Sequence, residues 1–266
     1  MNMQFDASQY PYASRREVVY GRRGMVCTSQ TLAAQAGLDM LKQGGNAVDA
    51  ALATAISLVV LEPTSNGLGS DAFALIWTKG KLHGLNGSGW SPQGLTWEDL
   101  HDKGCAAVPH RGWTPVMVPG APAAWAEIHE QFGKLPFEAL FEPAIYYAEH
   151  GYAVMPNLAA MLAESWESFA PYREDEAFSG LFSTFFPQGR PAQAGDILRL
   201  PDHAASLRLL RDTRCRALYD GELADAIDAW SRKTGGYISK DDLAEYKPQW
   251  VEPIHTNYRQ EFYTCL

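Results

Sequence analysis

The sequence predicts a mixed α/β or α+β protein in which helices surround a short β-hairpin. The first observation is an alanine-rich apolar run at 47–61, which has the composition of a helix buried inside a globular protein. The second is a pair of short apolar runs, AFALIW and KLHGLNG, joined by TKGK, which indicates a hairpin at 72–87. The third is the glycine-rich turn NGLGS, which separates the helix from the hairpin. The remaining chain shows mostly helical patterns, which we expect to pack around this unit.

The alanine-rich helix has well-defined ends. Asn46 is a favourable N-cap, and Asp49 follows three positions later, where a carboxylate stabilises the positive end of a helix. A Gly-Gly pair before Asn46 ends the preceding helix, and Pro63 ends this one, because the residue before a proline avoids helical geometry. The run is shorter and richer in alanine than the roughly 20 strongly apolar residues of a membrane span. We therefore predict a buried helix of a globular protein.

The other elements follow from periodicity and capping signals. Strands are predicted at 24–29, 250–254 and 258–265, and helices at 31–43, 97–104, 121–132, 136–149, 155–168, 201–211, 218–233 and 240–246. We expect residues 1–23 to form an extended, partly loose arm and residues 24–266 to form one region. The aromatic stretch 170–195 is predicted to be irregular and to form a packed surface excursion.

Composition and charge argue against several classes of partner. The formal net charge of -9 disfavours nucleic acid or an anionic membrane as the main partner. The four cysteines are far apart and lack CxxC spacing, so we expect reduced thiols and neither a disulfide framework nor a structural zinc site. The first residues lack the apolar segment of a secretory signal, and we therefore expect a cytoplasmic protein.

Generic catalytic and cofactor motifs do not fit the sequence. GLGSDA has the G-x-G-x-x-A spacing of a dinucleotide-binding turn, but it precedes a predicted strand instead of opening a helix. There is no phosphate-binding G-x-x-x-x-G-K-[ST] loop, and the histidines lack H-E-x-x-H spacing. NGSGWS fails the spacing of a nucleophile elbow at Ser88. From the residues alone we predict no cofactor, no metal site and no visible nucleophile.

A longer stretch carries a more specific signal. The segment GMVCTSQTLAAQAGLDMLKQGGNAVDAALATAISLVVLEPTSNGLGSDAFALIW resembles the N-terminal part of the gamma-glutamyltransferase (gamma-glutamyltranspeptidase) family. The resemblance rests on a GMV run, a helix ending in GGNAVDAA, and a second helix that leads into an N-x-L-G turn. VPGAPAAWAEIHEQFGKLPFEALFEPAIYYAEHGYAV, LYDGELADAI and GGYISKDDLAEYK match later landmarks in the same order. The resemblance covers roughly residues 24–264.

The resemblance implies a fold and a mechanism. Members of this family are N-terminal-nucleophile hydrolases with a four-layer αββα sandwich, assembled from a large and a small subunit of one self-cleaving precursor. The cleavage exposes a threonine whose hydroxyl attacks a gamma-glutamyl amide while its own α-amine serves as the base. The acyl group then passes to water or to an amino acid, and backbone donors of the small subunit stabilise the oxyanion. The implied partners are a small gamma-glutamyl or acyl-amide substrate and the small-subunit portion.

This chain resembles only the earlier, helix-rich part of the large subunit. It ends at Leu266, soon after the strand-like YRQEFYTCL, whereas the resemblance places the processing site and the threonine further along. We therefore expect no catalytic residue in this chain and no catalysis by it alone. We also expect exposed apolar surface that the missing portion would cover. The oligomeric state, a homo-oligomer included, stays open.

The resemblance also points to a difference in the substrate pocket. Well-known glutathione-cleaving members carry an arginine after the second hairpin strand, and it holds the α-carboxylate of the glutamyl group through bidentate hydrogen bonds. Alignment on Pro92 places Ser88 at that position. A serine cannot supply the charge pair. A related acylase that acts on glutaryl or other side-chain amides is therefore one alternative, and a non-catalytic structural or binding fragment is another.

The candidate substrate-binding residues lie in two turns. Asn86, Ser88 and Trp90 belong to the turn after the second hairpin strand, and Asn66 and Ser70 belong to the NGLGS turn before the first. The resemblance implies that the first group lines the pocket and that the second shapes it. The alternative is that NGSG is only a tight turn after a strand.

Overall fold

The structure is a computed structural model, and it describes residues 18–258 and 261–265. Its α-helices are α1 (Thr31–Lys42), α2 (Ala47–Leu61), α3 (Trp97–Asp102), α4 (Ala121–Phe132), α5 (Glu142–His150), α6 (Pro156–Ser168), α7 (Ser179–Phe185), α8 (Pro201–Asp212), α9 (Glu222–Thr234) and α10 (Lys240–Glu245). Its strands are β1 (Ala72–Thr78), β2 (Lys81–Gly87), β3 (Tyr152–Ala153), β4 (Ile197–Leu198), β5 (Gln249–Val251), β6 (Ile254–Tyr258) and β7 (Glu261–Cys265). Short 3-10 turns lie at Phe137–Leu140, Ala170–Tyr172, Glu176–Phe178 and Arg216–Leu218.

Helix α2 lies in the middle of the main hydrophobic core. Its side chains are small or apolar, and Ala53, Ile56 and Val60 are fully buried. Helices α1, α4 and α5 all contact it, and α5 in turn contacts α8. Asn46 caps the helix as predicted, because its side chain accepts hydrogen bonds from the second and third helical N–H groups. The carboxylate of Asp49 in turn accepts a hydrogen bond from the N–H of Asn46. The helix is therefore buried by its apolar composition and started by its cap.

The hairpin forms as predicted and belongs to a three-stranded sheet. Strands β1 and β2 pair in an antiparallel register from Ala72–Gly87 to Thr78–Lys81. Both central residues of the turn, Lys79 and Gly80, have positive φ angles of 51° and 76°, which match the twist of a two-residue hairpin turn. Strand β5 pairs with the other side of β2, so β1 is an edge strand among the described residues.

The two faces of β1 differ in exposure. The small and β-branched side chains of β1 face the core, whereas Phe73, Leu75 and Trp77 are 56%, 44% and 70% exposed. Alternation of this kind is expected of a strand with one packed face, but the outer residues of such a strand are usually polar. The three exposed side chains form an apolar stripe beside an open strand edge. The exposed apolar surface expected from the sequence is present here.

Most predicted elements are confirmed, with small shifts at their ends. These include the helices that correspond to α1, α2, α3, α4, α6, α8, α9 and α10. The predicted helix at 136–149 is instead a 3-10 turn followed by α5, because Pro143 in a helix interior would lack an N–H and clash with the preceding turn. The predicted strand at 250–254 is likewise interrupted at Pro253, between β5 and β6.

Two other predictions are wrong. Residues 24–29 form no strand in the part of the chain that the structure describes, and Met25 is 56% exposed. The stretch 170–195 is packed, as predicted, but it is not irregular throughout, because it contains α7, whose Leu181, Phe182 and Phe185 pack against the core. The apolar contacts of these side chains, and not a strong helical periodicity, stabilise that helix.

The ends of the chain are only partly described. The prediction of a loose arm lies outside the described residues for 1–17, and residues 18–23 form neither helix nor strand. The predicted strand at 258–265 corresponds in its described part to the end of β6 and to β7, which pair with each other. No helix within the described ranges is long and apolar enough to cross a membrane.

Candidate functional site

Three turns meet at one end of the hairpin, where β1 begins and β2 ends. The carbonyl of Ser70, in the turn before β1, accepts hydrogen bonds from the N–H groups of Gly120 and Ala121 at 3.0 and 2.9 Å. The carbonyl of Trp90, in the loop after β2, accepts from the N–H of Val118 at 2.9 Å. Both predicted turns are therefore fastened to the turn that precedes α4. The fold brings together two segments that the sequence analysis treated separately.

The loop after β2 is held by hydrogen bonds within itself. The side-chain oxygen of Asn86 accepts from the N–H of Ser88 at 2.9 Å, and the Ser88 hydroxyl donates to the carbonyl of Gly89 at 3.2 Å. Gly89 has a φ of +75°, and a Cβ there would lie only 2.0 Å from the carbonyl oxygen of Val118. Only glycine fits this position. The side chain of Asn86 thus closes a local turn at the end of β2, and substrate binding by these residues stays a prediction.

The backbone of the same loop touches the turn before α4. A Cβ built on Gly120 would lie 1.8 Å from the carbonyl oxygen of Gly87, so the backbones of these two segments are in direct contact there. This close approach leaves no room for adjustment between the loop after β2 and the N-terminus of α4. The position of Ser88 is thus coupled to the main core through α4.

The turn before β1 uses its predicted residues in different ways. The side-chain amide of Asn66 donates to Glu62 Oε2 at 3.1 Å, and the hydroxyl of Ser29 donates to the same oxygen at 2.8 Å. Asn66 therefore fastens the turn to the end of α2. Ser70 contributes its backbone carbonyl to the contact with α4, as described above. Of the five predicted residues, Ser70, Asn86, Ser88 and Trp90 meet at the junction of the three turns, whereas Asn66 is engaged at the other end of its turn.

Two tyrosines that the sequence analysis did not single out, the half-buried Tyr219 and the buried Tyr246, support this junction. The hydroxyl of Tyr219 donates to the carbonyl of Pro119 at 2.8 Å and accepts from the N–H of Ala123 at 2.9 Å. The hydroxyl of Tyr246 accepts from the N–H of Gly89 at 3.2 Å, across 157 positions of the chain. No local pattern marks either tyrosine, because each acts only through residues that are remote in sequence.

The electrostatic environment of the junction contains no cation from the loop itself. Burial raises the pKa of the Tyr246 hydroxyl, the hydrogen bond from Gly89 opposes that rise, and the negative charge of Asp71 adds to it. Burial also raises the pKa of Tyr219. Both phenols are therefore neutral near pH 7. The charged side chain that contributes to the pKa of Tyr246 is the carboxylate of Asp71.

A family model described as gamma-glutamyltranspeptidase matches residues 33–265 of the chain. The chain belongs to the gamma-glutamyltranspeptidase family. In this gamma-glutamyltranspeptidase chain the segment GGNAVDAA forms the start of α2, and NGLGS forms the turn that meets α4. The family assignment drawn from the sequence is confirmed.

The relatives include both acylases and glutathione hydrolases. The acylase ACY 1 proenzyme of Pseudomonas sp. strain SE83 is 34% identical over 258 residues, which are 93% of this chain and 45% of that protein. The glutathione hydrolase proenzyme of Escherichia coli K12 is 31% identical over 245 residues, which are 91% of this chain and 41% of that protein. The chain thus spans less than half the length of these curated relatives.

Solved structures show the same division. The cephalosporin acylase of Bacillus halodurans superposes with a TM-score of 0.90 and 54% identity, over 96% of this chain and 48% of that one. The gamma-glutamyltranspeptidase of Helicobacter pylori superposes with a TM-score of 0.85 and 29% identity, over 93% of this chain and 70% of that one. These similarities confirm the expected fold, part of an N-terminal-nucleophile hydrolase sandwich.

A large cavity lies away from the junction. It has a volume of about 1150 Å³ and runs between β1, α2 and α4. Its lining includes Ala51 and Ala55 of α2, Phe73 and Trp77 of β1, and Phe132 of α4. None of the five predicted site residues lines it. The cavity adjoins the apolar stripe on β1, and together they form one exposed apolar surface.

Proposed function

We propose that the whole protein is an N-terminal-nucleophile acyl-amide hydrolase and transferase that cleaves gamma-glutamyl amides such as glutathione. The observation that carries this proposal is the family match over 33–265, which runs in register with the fold of solved gamma-glutamyltranspeptidases. A match of this length is far more specific than any short catalytic motif. This chain supplies the large-subunit part of the site, and the nucleophile comes from the portion of the precursor that follows it.

The proposed chemistry balances without a metal or cofactor. The threonine hydroxyl oxygen forms a bond to the carbonyl carbon of the amide, and its proton moves by way of the threonine α-amine to the leaving nitrogen. The amide C–N bond then breaks and leaves an acyl-enzyme ester. Water or an amino acid amine attacks that ester and restores the hydroxyl. The loop after β2 would hold the acyl group while these steps occur. The names of the relatives, which are described as proenzymes, support a precursor that is processed.

We further propose that the small-subunit portion covers the open side of β1. The exposed Phe73, Leu75 and Trp77 form an apolar patch on one face of β1, and contiguous exposed apolar patches often mark interaction surfaces. The unpaired edge of β1 and the cavity beside the alanines of α2 leave room for a further strand. The relatives extend well beyond the matched region, which supports this assignment. The same covering would bring the nucleophile to the hairpin.

A second candidate function is an acylase of different acyl specificity, and Ser88 favours it. The Ser88 hydroxyl is neutral and donates to the carbonyl of Gly89, so it offers no charge to a substrate carboxylate. The similarity to a cephalosporin acylase at 54% identity supports this candidate as well. Glutaryl and gamma-glutamyl groups both carry a terminal carboxylate and differ only in the α-ammonium group. Loss of the arginine therefore weakens the recognition of both, and it favours acyl groups without a carboxylate.

The test uses the full-length precursor and three chromogenic amides. We would express it, resolve it on a denaturing gel, and measure p-nitroaniline release from gamma-glutamyl, glutaryl and butyryl p-nitroanilide. Two bands with turnover of the gamma-glutamyl amide would support the first proposal. Two bands with turnover of the glutaryl or butyryl amide alone would support the acylase. A single uncleaved band without turnover of any amide would overturn both and favour a non-catalytic role.

A further inference from the structure

Helix α10 holds both ends of the loop that follows β2. At one end, Tyr246, which directly follows α10, accepts the hydrogen bond from Gly89. At the other end, the buried carboxylate of Asp242 accepts a hydrogen bond from the N–H of Gln93 at 2.9 Å. The side chain of Gln93 also donates to Glu245 Oε2 at 2.9 Å. A helix that lies about 150 positions away in the sequence therefore sets the position of this loop.

The aromatic ring of Tyr246 is fixed on two sides. It packs edge-on against Trp90 with ring centroids 4.9 Å apart, and it stacks on Tyr219 at 6.0 Å with the rings 19° from parallel. The residue is only 7% exposed. Its hydroxyl therefore cannot move away from Gly89 without a shift of the whole ring. Rigid second-layer contacts of this kind are what hold a binding loop in its productive geometry.

We propose that Tyr246 is a positioning residue for the loop after β2, in which Gly89 and Trp90 lie. Its hydroxyl orients Gly89, and through Gly89 it sets the relative positions of Ser88 and Trp90. The proposal rests on the proposed function, because it assumes that this loop contacts the acyl group. Tyr246 does not itself touch the substrate. Its effect is on how tightly and how selectively the loop receives the acyl group.

The test removes the hydroxyl while the ring remains. In the full-length protein, Tyr246→Phe leaves the N–H of Gly89 without its acceptor. The loss of one neutral hydrogen bond corresponds to a change of about threefold to tenfold in a binding constant. We expect KM for the accepted p-nitroanilide to rise by that factor while kcat stays within about twofold. We also expect the ratio of kcat/KM values for the gamma-glutamyl and butyryl amides to change, because the loop is less well defined.

Melting temperatures and one further variant separate positioning from stability. Melting temperatures of the wild type and of Tyr246→Phe, measured beside the kinetics, show how much of any change comes from stability. Tyr237→Phe is the control: within the described residues its hydroxyl accepts from Lys103, away from the loop after β2, so this variant should change neither KM nor the substrate ratio. A Tyr246→Phe enzyme with a lower melting temperature but wild-type KM and substrate ratio would overturn the proposal. If the wild type cleaves none of the three amides, the proposed function fails instead, which is a separate outcome.

Discussion

The carboxylate of Asp49, in the first turn of α2, accepts a hydrogen bond from the N–H of Lys134 at 2.9 Å, across 85 positions of the chain. The same carboxylate accepts from the N–H of Leu135 at 3.2 Å and of Asn46 at 2.8 Å. The amide of Asn46 in turn donates to the carbonyl of Phe132 at 2.7 Å. The asparagine and aspartate of GGNAVDAA thus join the start of α2 to the end of α4. These bonds give both residues a structural role in this chain.

Replacement of Asp49 should destabilise the protein strongly. The side chain is fully buried, and an Asp49→Asn variant would place an amide N–H₂ group against backbone N–H donors. We expect a loss of about 2–4 kcal/mol in the free energy of unfolding, measured by urea denaturation of the full-length protein.

Asp99→Asn is the matched control for this prediction. Asp99 completes the same kind of capping box with Thr96 at the start of α3, but it makes no such bonds to a distant segment. We expect a much smaller loss for this variant. Equal losses for the two variants would show that Asp49 acts only as a local cap.

Restoration of an arginine at position 88 should increase the recognition of carboxylate-bearing acyl groups. A hydrogen bond to a charged group contributes about 1.5–3 kcal/mol, so Ser88→Arg should raise kcat/KM for the gamma-glutamyl amide about 10-fold to 100-fold. The butyryl amide, which lacks the carboxylate, should not benefit. Ser91→Arg, at an exposed position of the same loop, is the charge-matched control. A gain for both variants, or for all three amides, would argue against a specific contact at position 88.

A methyl group at Gly89 should displace the loop. Gly89→Ala combines a left-handed backbone with a clash against the carbonyl of Val118, and we expect it to destabilise the protein by about 3 kcal/mol or more. Gly104 has a similar φ of +68° but open space around it. Gly104→Ala should therefore lower the free energy of unfolding by only about 1–2 kcal/mol, which is the effect of the strained backbone alone. Thermal unfolding of both variants measures the difference. Equal melting temperatures would contradict the close contact between the two segments.

The stability of the protein should fall in mildly acidic solution because of His203. Burial, which includes a contact with Phe185 of α7, lowers the pKa of His203, and the charge of Asp202 opposes this only in part. In the unfolded chain His203 binds a proton at about pH 6.5, whereas the folded protein binds it only at lower pH. The free energy of unfolding is therefore highest above about pH 6.5 and decreases as the pH falls below that value, because protonation favours the unfolded chain.

We expect His203→Gln to flatten the decrease in melting temperature between about pH 7.5 and about pH 5.5. The exposed His110 provides the control, and His110→Gln should keep the wild-type pH profile. A profile for His203→Gln that parallels the wild type would show that His203 does not contribute to the pH dependence.

Local rules in the sequence were enough for much of the secondary structure. The cap at Asn46 and the Lys-Gly turn of the hairpin each depend on residues within a few positions of one another, and both were predicted. The errors lie where packing outweighs local preference. Helix α7 forms because its phenylalanines reach the core, and residues 24–29 have strand-like composition but pair with none of the described strands.

The sequence by itself determined the family, the buried helix, the hairpin and the two turns that carry the candidate residues. Only the tertiary structure decided which of those residues meet, and it showed that Tyr246 and Asp242 hold the loop in which Ser88 lies. The physical reason is distance along the chain. Capping and turn formation are settled between near neighbours, whereas a hydrogen bond from Gly89 to Tyr246 depends on how the helices between them pack, and no spacing in the sequence records that arrangement.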